Sequence, residues 1–192
     1  MKAIFFDLDG TLLLLKEPVH LTYRRFGAEV TEGKVKSLWR NLEREYLRVA
    51  YNYETTPEIE KEFWINFATT LCNGDKEIAL KVYNYFGSGE SRLLNQKLLN
   101  QFDREELGVF TNNDKRSHQI LKDLGVYDKF KWIITAGELG VKKPSLQVFS
   151  DLKELTGFND LTYVGNSLEL DIEPAKKAGW KTIFASNSNV NP

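Results

Sequence analysis

The stretch Ala3-Ile4-Phe5-Phe6-Asp7-Leu8-Asp9-Gly10-Thr11 places two aspartates at the end of a short apolar run. A short run without alternation between apolar and polar residues indicates a strand that is buried on both faces of a sheet. Side chains two residues apart on extended backbone point to the same side, so the carboxylates of Asp7 and Asp9 are expected to lie together. Gly10 permits a sharp turn after them, and Thr11 supplies a hydroxyl.

Asp7 and Asp9 carry like charges that burial would bring close together. Such burial is unfavourable unless a cation bridges the two groups or one of them is protonated. The pair therefore suits a nucleophilic carboxylate, a neighbouring acid or base, and a divalent metal ion. The alternative is a strand that ends in an ordinary Asp-Gly turn. The position favours a functional role, because ligands of open parallel sheets bind beyond the carboxyl ends of the strands.

Further short apolar runs follow the first, and helical patterns separate them. Strands that alternate with helices predict a parallel sheet covered by helices on both faces. The later predicted strands are Leu107–Thr111, Lys131–Thr135, Leu161–Val164 and Trp180–Ala185. The predicted helices beside them are Ser91–Phe102, Lys115–Leu124, Leu146–Thr156 and Ile172–Ala178. The sequence thus predicts an α/β protein with a Rossmann-like parallel sheet.

Residues 16–90 interrupt this alternation, because they contain helical patterns without a strand pattern. The predicted helices are Val19–Ala28, Glu32–Asn52, Pro57–Cys72 and Asp75–Phe86. In the second of them, one apolar face is formed by residues at helical spacing, namely Leu38, Leu42, Tyr46 and Val49. We therefore expect a core formed by residues 1–15 and 91–192, with residues 16–90 as a helical insertion.

Composition excludes several classes of protein. The 26 Lys and Arg residues against 27 Asp and Glu residues give a net charge of −1, which argues against a nucleic-acid-binding protein. One Cys and two His residues exclude an internal disulfide and a His-rich metal site. The longest aliphatic run, Leu12–Leu15, is far shorter than the roughly 20 residues of a membrane helix. Two aspartates within the N-terminal apolar stretch argue against a secretory signal, so we expect a cytoplasmic protein.

Polar groups also follow the later strands. Thr111-Asn112-Asn113 ends the second strand and suits either an anion site or a cap of the next helix. Lys143, which precedes Pro144 after the third strand, either neutralises a phosphate or carboxylate cluster or is an exposed loop lysine. Gly165-Asn166 follows the fourth strand and leads to Asp171, which is either an oxygen ligand or a helix cap.

Together, these segments resemble the motifs of the haloacid dehalogenase-like (HAD) hydrolases. The family pattern is a DxDGT segment, a Ser or Thr at the end of the second strand, a Lys before Pro, and a GDxxxxD segment. Here they read Asp7 to Thr11, then Thr111, Lys143-Pro144, and Gly165-Asn166 through Asp171. The resemblance covers residues 1–15 and about 91–192. It implies a sheet with the five predicted strands in the order 5-4-1-2-3, and a C1-type helical cap at residues 16–90.

The resemblance also implies a role for each motif residue. Asp7 would be the nucleophile that forms an aspartyl-phosphate, and Asp9 would be the general acid and base. Thr111 and Lys143 would hold the phosphoryl group, assisted by the backbone of Asn112. The cofactor would be Mg²⁺, with ligands from Asp7, the Asp9 carbonyl, Asn166 and Asp171. The implied activity is Mg²⁺-dependent hydrolysis of a small phosphorylated metabolite, without a nucleic-acid or membrane partner.

Asn166 departs from the family pattern, because most members have a metal-binding Asp at this position. The loss of one negative charge is expected to weaken Mg²⁺ binding. Asp9 disfavours dehalogenation, since the dehalogenases of the family lack the second Asp of the first motif. The alternatives that remain are a sugar phosphomutase and a catalytically weakened HAD-fold interaction protein.

Aromatic residues are frequent in the helical insertion. They include Trp39, Tyr46, Tyr51, Tyr53, Trp64 and Phe67. The favoured interpretation is that most of them form the internal core of the insertion. The alternative is that some of them stack on a ring of the substrate.

Overall fold

A computed structural model of the chain describes residues 2–48 and 53–185. Its strands, in chain order, are β1 (Lys2–Phe6), β2 (Leu13–Leu15), β3 (Arg92–Leu94), β4 (Glu106–Thr111), β5 (Trp132–Thr135), β6 (Asp160–Gly165) and β7 (Lys181–Phe184). Five of them form a parallel sheet in the order β5-β4-β1-β6-β7. The α/β Rossmann-like fold is therefore confirmed. When these five strands are numbered 1 to 5 in chain order, their order across the sheet is 3-2-1-4-5. This is the predicted order 5-4-1-2-3 read from the opposite edge.

The helices, in chain order, are α1 (Val19–Arg25), α2 (Glu32–Arg48), α3 (Pro57–Leu71), α4 (Lys76–Phe86), α5 (Gln96–Leu99), α6 (Arg116–Asp123), α7 (Ala136–Leu139), α8 (Leu146–Thr156) and α9 (Glu173–Lys177). A π-helical turn, Leu168–Ile172, runs directly into α9. Capping side chains set the starts of α3 and α4: Thr56 accepts from the Ile59 N–H and Asp75 from the Glu77 and Ile78 N–H groups. The predicted end of the second helix, at residues 49–52, lies outside the described residues.

The predicted helix Ser91–Phe102 is wrong in its first half. Ser91 ends a 3₁₀ turn, and residues 92–94 form β3, which pairs antiparallel with β2. The helical part that follows is α5 with a 3₁₀ turn after it. Asn95 separates the two parts, because its side chain accepts a hydrogen bond from the Leu98 N–H and so caps α5. Pairing with β2 satisfies the backbone of residues 92–94, and this distant contact overrides the local helical pattern.

Three apolar clusters hold the fold together. One face of the sheet buries a cluster around Phe6, Val109 and Leu121, and the other buries a cluster around Phe5, Phe149 and Trp180. Helices α1–α4 lie between β2 and β3 in the chain and share a cluster of their own around Tyr23, Leu71 and Val82. We call residues 16–90 the inserted helices. Within the described residues, no helix is long and apolar enough to cross a membrane.

Candidate active site

The predicted site residues meet at the carboxyl edge of the sheet. Phe6 pairs with Val109 of β4 and with Val164 of β6, so the chain leaves β1 between these two strands. Asp7 continues this pairing by one residue, since its N–H donates to the Val164 carbonyl over 2.9 Å. Thr111 is the last residue of β4, and Asn166 directly follows β6. The expected convergence at strand ends is therefore what the structure shows.

Lys143 lies at the centre of the cluster and is only 2% exposed, which excludes the interpretation as an exposed loop lysine. Its Nζ lies 2.8 Å from Asp7 Oδ1 and 2.6 Å from Asp171 Oδ1. The same Nζ donates to the Tyr163 hydroxyl over 2.9 Å, and this hydroxyl donates to the Phe110 carbonyl over 2.8 Å. The ammonium group thus has an oxygen partner for each of its three N–H bonds.

Asp171 is the second carboxylate that binds Lys143. Its Oδ1 accepts from Lys143, and its Oδ2 accepts from the Ser167 N–H over 3.0 Å. The side chain is 2% exposed. A Cβ on Gly165 would come within 2.5 Å of the Asp171 carboxylate, so this glycine allows the close approach. Asp171 is therefore part of the cluster rather than a helix cap, with both oxygens bound by protein donors.

The buried charges of this cluster shift the pKa values of Asp7 and Lys143. The pKa of Asp7 is raised to about 6, chiefly by burial; the charge of Lys143 lowers it, and the negative charges of Asp171 and Asp9 add to the increase. Burial alone would lower the pKa of Lys143, but the charges of Asp171 and Asp7 outweigh burial and hold it well above its usual value. Lys143 therefore stays protonated and offsets the two carboxylates.

The raised pKa of Asp7 predicts a pH dependence of stability in the absence of metal. Between the ordinary value of 3.8 and about 6, folded Asp7 keeps a proton that the unfolded chain has lost. Its contribution to stability is present below pH 3.8 and is lost as the pH rises through about 6. An Asp7→Asn variant should therefore gain stability relative to the wild type across this window, as measured by urea unfolding in a chelator. Parallel pH profiles for the two proteins would contradict the raised pKa.

The Thr11 hydroxyl contacts both Asp7 and Asn166. Its Oγ1 lies 3.2 Å from Asp7 Oδ2 and 3.3 Å from Asn166 Oδ1. Gly10, with a φ of 83°, makes this approach possible, because a Cβ there would lie 2.2 Å from the amide nitrogen of Asn166. Two side-chain oxygens from separate strand ends therefore face the same hydroxyl.

Asp9 does not join the Lys143 cluster. Its Oδ1 accepts from Arg92 Nε over 2.8 Å, and its Oδ2 accepts from Arg92 Nη2 and from the amide of Asn113. Arg92 is 7% exposed and belongs to β3, at the end of the inserted helices. Sequence reasoning missed Arg92 because it fell within a predicted helix. Its position beside Asp9 depends on the pairing of β3 with β2.

Asn112 and Asp114 have positions that the motif alone did not specify. The Asn112 side chain makes two hydrogen bonds with the backbone of Lys143, of 2.9 and 3.0 Å, and so holds the lysine loop against β4. The peptide bond from Lys143 to Pro144 is cis. Asp114 accepts from the N–H of Arg116, the first residue of α6. Thr111 is buried, and its Oγ1 accepts from the Asn113 N–H over 3.1 Å.

The oxygens of Asp7 and Asn166 fit a hard divalent cation. Carboxylate, amide and carbonyl oxygens are the donors that Mg²⁺ prefers. No group of three or more His, Cys, Asp or Glu side chains arranged for a metal occurs in residues 2–48 and 53–185. A Mg²⁺ ion would therefore depend on Asp7, an amide oxygen and a backbone carbonyl, and waters would complete its coordination. Asp171 remains a predicted ligand, although its oxygens already have protein partners.

A cavity of about 680 Å³ lies between the inserted helices and the sheet and reaches Asp9. Trp39, Trp64 and Phe67 line it and also pack on the apolar cluster of the inserted helices. These rings therefore belong both to the apolar cluster of the inserted helices and to the wall of the cavity. Tyr53 is 37% exposed and does not line the cavity. The side chains of Tyr46 and Tyr51 lie outside the described residues.

The family profile described as haloacid dehalogenase-like hydrolase matches residues 1–179. The chain belongs to this family. A curated relative from Xenopus laevis, haloacid dehalogenase-like hydrolase domain-containing protein 3, is 23% identical over 204 residues, which cover 96% of this chain and 84% of the relative.

Solved structures of HAD hydrolases share the fold of this HAD-like hydrolase. YfnB from Bacillus subtilis, a HAD-hydrolase bound to magnesium, has a TM-score of 0.75 at 20% identity, covering 95% of this chain and 87% of that one. A HAD phosphatase from Thermococcus onnurineus has a TM-score of 0.63 at 22% identity, covering 100% and 89%. L-2-haloacid dehalogenase from Xanthobacter autotrophicus has a TM-score of 0.72 at 19% identity, covering 95% and 76%. The fold is thus common to phosphatases and dehalogenases, and the choice between them depends on the site.

Proposed function

We propose that this HAD-like hydrolase is a Mg²⁺-dependent phosphatase that removes phosphate from a small phosphorylated metabolite through an aspartyl-phosphate on Asp7. The observation that carries the proposal is the buried contact of 2.8 Å between Asp7 and Lys143, with Asp9 two residues further along the chain. A phosphate monoester carries two negative charges near neutral pH. The positive charge of Lys143 offsets the repulsion between this dianion and the attacking carboxylate.

In the first step, an oxygen of Asp7 attacks phosphorus and displaces the alcohol. Lys143 Nζ holds the other oxygen of Asp7 in place, and the Thr111 hydroxyl and the Asn112 backbone bind the phosphoryl oxygens. Asp9 donates a proton to the leaving alcohol. In the second step, Asp9 takes a proton from water, which then attacks the phosphoryl group and frees Asp7. Arg92 and Asn113 fix the position of the Asp9 carboxylate between these steps.

Mg²⁺ would be held by Asp7, the Asp9 carbonyl and Asn166, with Asp171 beside them, and would neutralise phosphoryl charge when bound. The preorganised oxygens of Asp7 and Asn166 on either side of the Thr11 hydroxyl support this assignment. The proposal favours phosphatase over dehalogenase activity, because a dehalogenase needs no acid to protonate a halide and this chain has Asp9.

The inserted helices, residues 16–90, are proposed to form a cap over the core made of residues 1–15 and 91–192. Closure of a cap excludes water during attack by Asp7. The antiparallel pair β2–β3 carries the chain from the core into the inserted helices and back. A cytoplasmic location is part of the proposal, since the single cysteine, Cys72, is buried and needs no oxidising compartment.

Phosphate release from a panel of phosphomonoesters tests the proposal. Release is expected with Mg²⁺, to stop when the metal is chelated, and to return when Mg²⁺ is added back. Turnover that is insensitive to a chelator, or no release from any ester, would refute the proposed function.

Asn166→Asp is expected to lower the Mg²⁺ concentration needed for half-maximal rate by roughly tenfold, because a carboxylate binds a hard cation more strongly than an amide. A Mg²⁺ titration of the rate checks this. Asn100→Asp, on the exposed 3₁₀ turn at the opposite end of β4, is the matched control and should leave the titration unchanged. An unchanged midpoint in Asn166→Asp would show that this side chain is not a direct metal ligand.

A further inference from the structure

The cavity beside Asp9 is bounded by both parts of the chain. Its volume is about 680 Å³. The core contributes Asp9, Gly10 and the start of α6, and the inserted helices contribute mainly apolar side chains. These include Val19, Val35, Trp39, Trp64, Phe67 and Phe86. The cavity therefore begins where the leaving alcohol would separate from phosphorus and extends among rings and aliphatic groups.

Lys16 lines the cavity as an exposed side chain, whereas the other charged groups of the lining bind one another. Arg92 pairs with Asp9, and Arg116 Nε lies 2.9 Å from the Asp114 carboxylate. The Tyr83 hydroxyl donates to Asp114 over 3.1 Å, and the Arg116 guanidinium lies 3.5 Å from the Tyr83 ring centroid. These contacts leave little charge to bind a ligand within the cavity.

Ser117 is a buried polar residue of the same wall. Its side chain is 1% exposed and lines the cavity. Among the described residues its hydroxyl has no hydrogen-bond partner. This oxygen has almost no accessible surface, so it adds little polarity to the space that a ligand would fill.

We propose that this cavity binds the alcohol part of the substrate and selects phosphate monoesters whose alcohol carries an apolar, ring-bearing group. The inference rests on the proposed function. Cavities of roughly 300–1,000 Å³ bind ligands of drug size. An alcohol of two or three carbons would leave most of this one filled with water against apolar walls, whereas a ring would displace that water. Trp39 and Trp64, whose rings stack with centroids 5.8 Å apart, provide an aromatic surface for such a ring.

The test compares esters of primary alcohols, so that their leaving groups have similar intrinsic reactivity. The probes are 3-phenylpropyl phosphate, propyl phosphate and glycerol 3-phosphate. We expect kcat/KM to be at least about tenfold higher for the phenylpropyl ester than for either of the others, since ring burial contributes at least this factor. Equal rates, or a preference for glycerol 3-phosphate, would overturn the inference and leave the proposed function intact.

Binding provides a second measurement that does not need turnover. The probes are 3-phenylpropylphosphonate and propylphosphonate, which cannot be hydrolysed at a P–O–C bond, and the readout is calorimetry. The phenylpropyl compound is expected to bind at least about tenfold more tightly. If no ester releases phosphate while this preference holds, the proposed function fails and the cavity assignment stands. Equal affinities would overturn the assignment.

Two substitutions that conserve side-chain shape test whether the apolar wall causes the preference for the phenylpropyl ester. Val19→Thr with Val35→Thr makes the cavity wall more polar without changing its volume much, and should reduce the phenylpropyl preference several-fold. Leu80→Gln is the control, since Leu80 is exposed on α4 and does not line the cavity; it should leave the preference unchanged. Circular dichroism verifies that each variant is folded. An unchanged preference in a folded double variant would refute the role of this wall.

Discussion

Asp7→Asn is expected to lower phosphate release by at least about 10⁴-fold, the scale seen when a covalent nucleophile is removed. The amide has nearly the shape of the carboxylate, but it does not attack phosphorus. Lys143 keeps its contacts of 2.6 Å with Asp171 and 2.9 Å with Tyr163, so the surrounding network has the means to persist. The measurement is kcat for the best ester of the panel at saturating Mg²⁺.

Asp103→Asn is the matched control for this substitution. Asp103 is exposed and precedes the amino end of β4, whereas the site lies at the carboxyl ends of the strands. This variant should retain wild-type turnover. Wild-type turnover in Asp7→Asn as well would exclude Asp7 as the nucleophile.

Lys142→Met is expected to destabilise the fold by about 3–5 kcal/mol, the cost of leaving one member of a buried ion pair alone. Lys142 Nζ lies 2.8 Å from Glu60 Oε1, and the two side chains are 1% and 0% exposed. The Thr55 hydroxyl also donates to Glu60 Oε1, over 2.5 Å. The substitution would leave the Glu60 carboxylate buried without a cation. The measurement is the free energy of unfolding in urea at neutral pH.

Two further variants distinguish the effect of breaking a buried ion pair on stability from the effect of losing a lysine. Lys142→Met with Glu60→Leu removes both charges and should recover most of the lost stability. Lys81→Met breaks the exposed pair of Lys81 with Glu77. The N···O distance in this pair is 2.7 Å, close to the 2.8 Å of the buried pair, but breaking it should change stability little. A Lys142→Met variant as stable as Lys81→Met would contradict the account of this pair.

The ion pair between Lys142 and Glu60 links the inserted helices to the loop that carries Lys143. Glu60 belongs to α3, while Lys142 directly precedes Lys143. Two backbone hydrogen bonds run alongside it, from Thr55 N–H to the Gly140 carbonyl and from Lys142 N–H to the Tyr53 carbonyl, of 3.0 and 2.9 Å. The inserted helices are therefore attached to the lysine loop at a point distant in sequence from the β2–β3 pair.

The sequence predicted the sheet and its site because both depend on local patterns. Strands buried on both faces appear as short apolar runs, and parallel strands bring their carboxyl ends to one edge. Asp7 directly follows such a run and Thr111 ends one, so their convergence follows from topology. Lys143 and Asp171 lie in the segments after later strands, and their roles were implied by the resemblance to the HAD hydrolases. Burial of Lys143 follows from the same topology, once its loop is placed against β4 by Asn112.

The features that the sequence did not predict depend on contacts between distant segments. Arg92 reaches Asp9 only because β3 pairs with β2, and the two residues are 83 positions apart. The hydroxyl of Tyr163 reaches Lys143 from within a strand that reads as a plain apolar run. Glu60, in the first turn of α3, has the pattern of a solvent-facing residue, yet it is fully buried. Local periodicity carries no information about such pairs.

The proposed mechanism requires a covalent phosphoryl intermediate on Asp7. Turnover of a phosphomonoester with Mg²⁺ can be stopped by rapid acid quench, and the phosphorylated residue located by peptide mass spectrometry. The predicted result is one phosphoryl group on Asp7 that is absent from Asp7→Asn. Active turnover with the phosphoryl group on another residue, or with no phosphorylated residue at any quench time, would contradict the proposed mechanism.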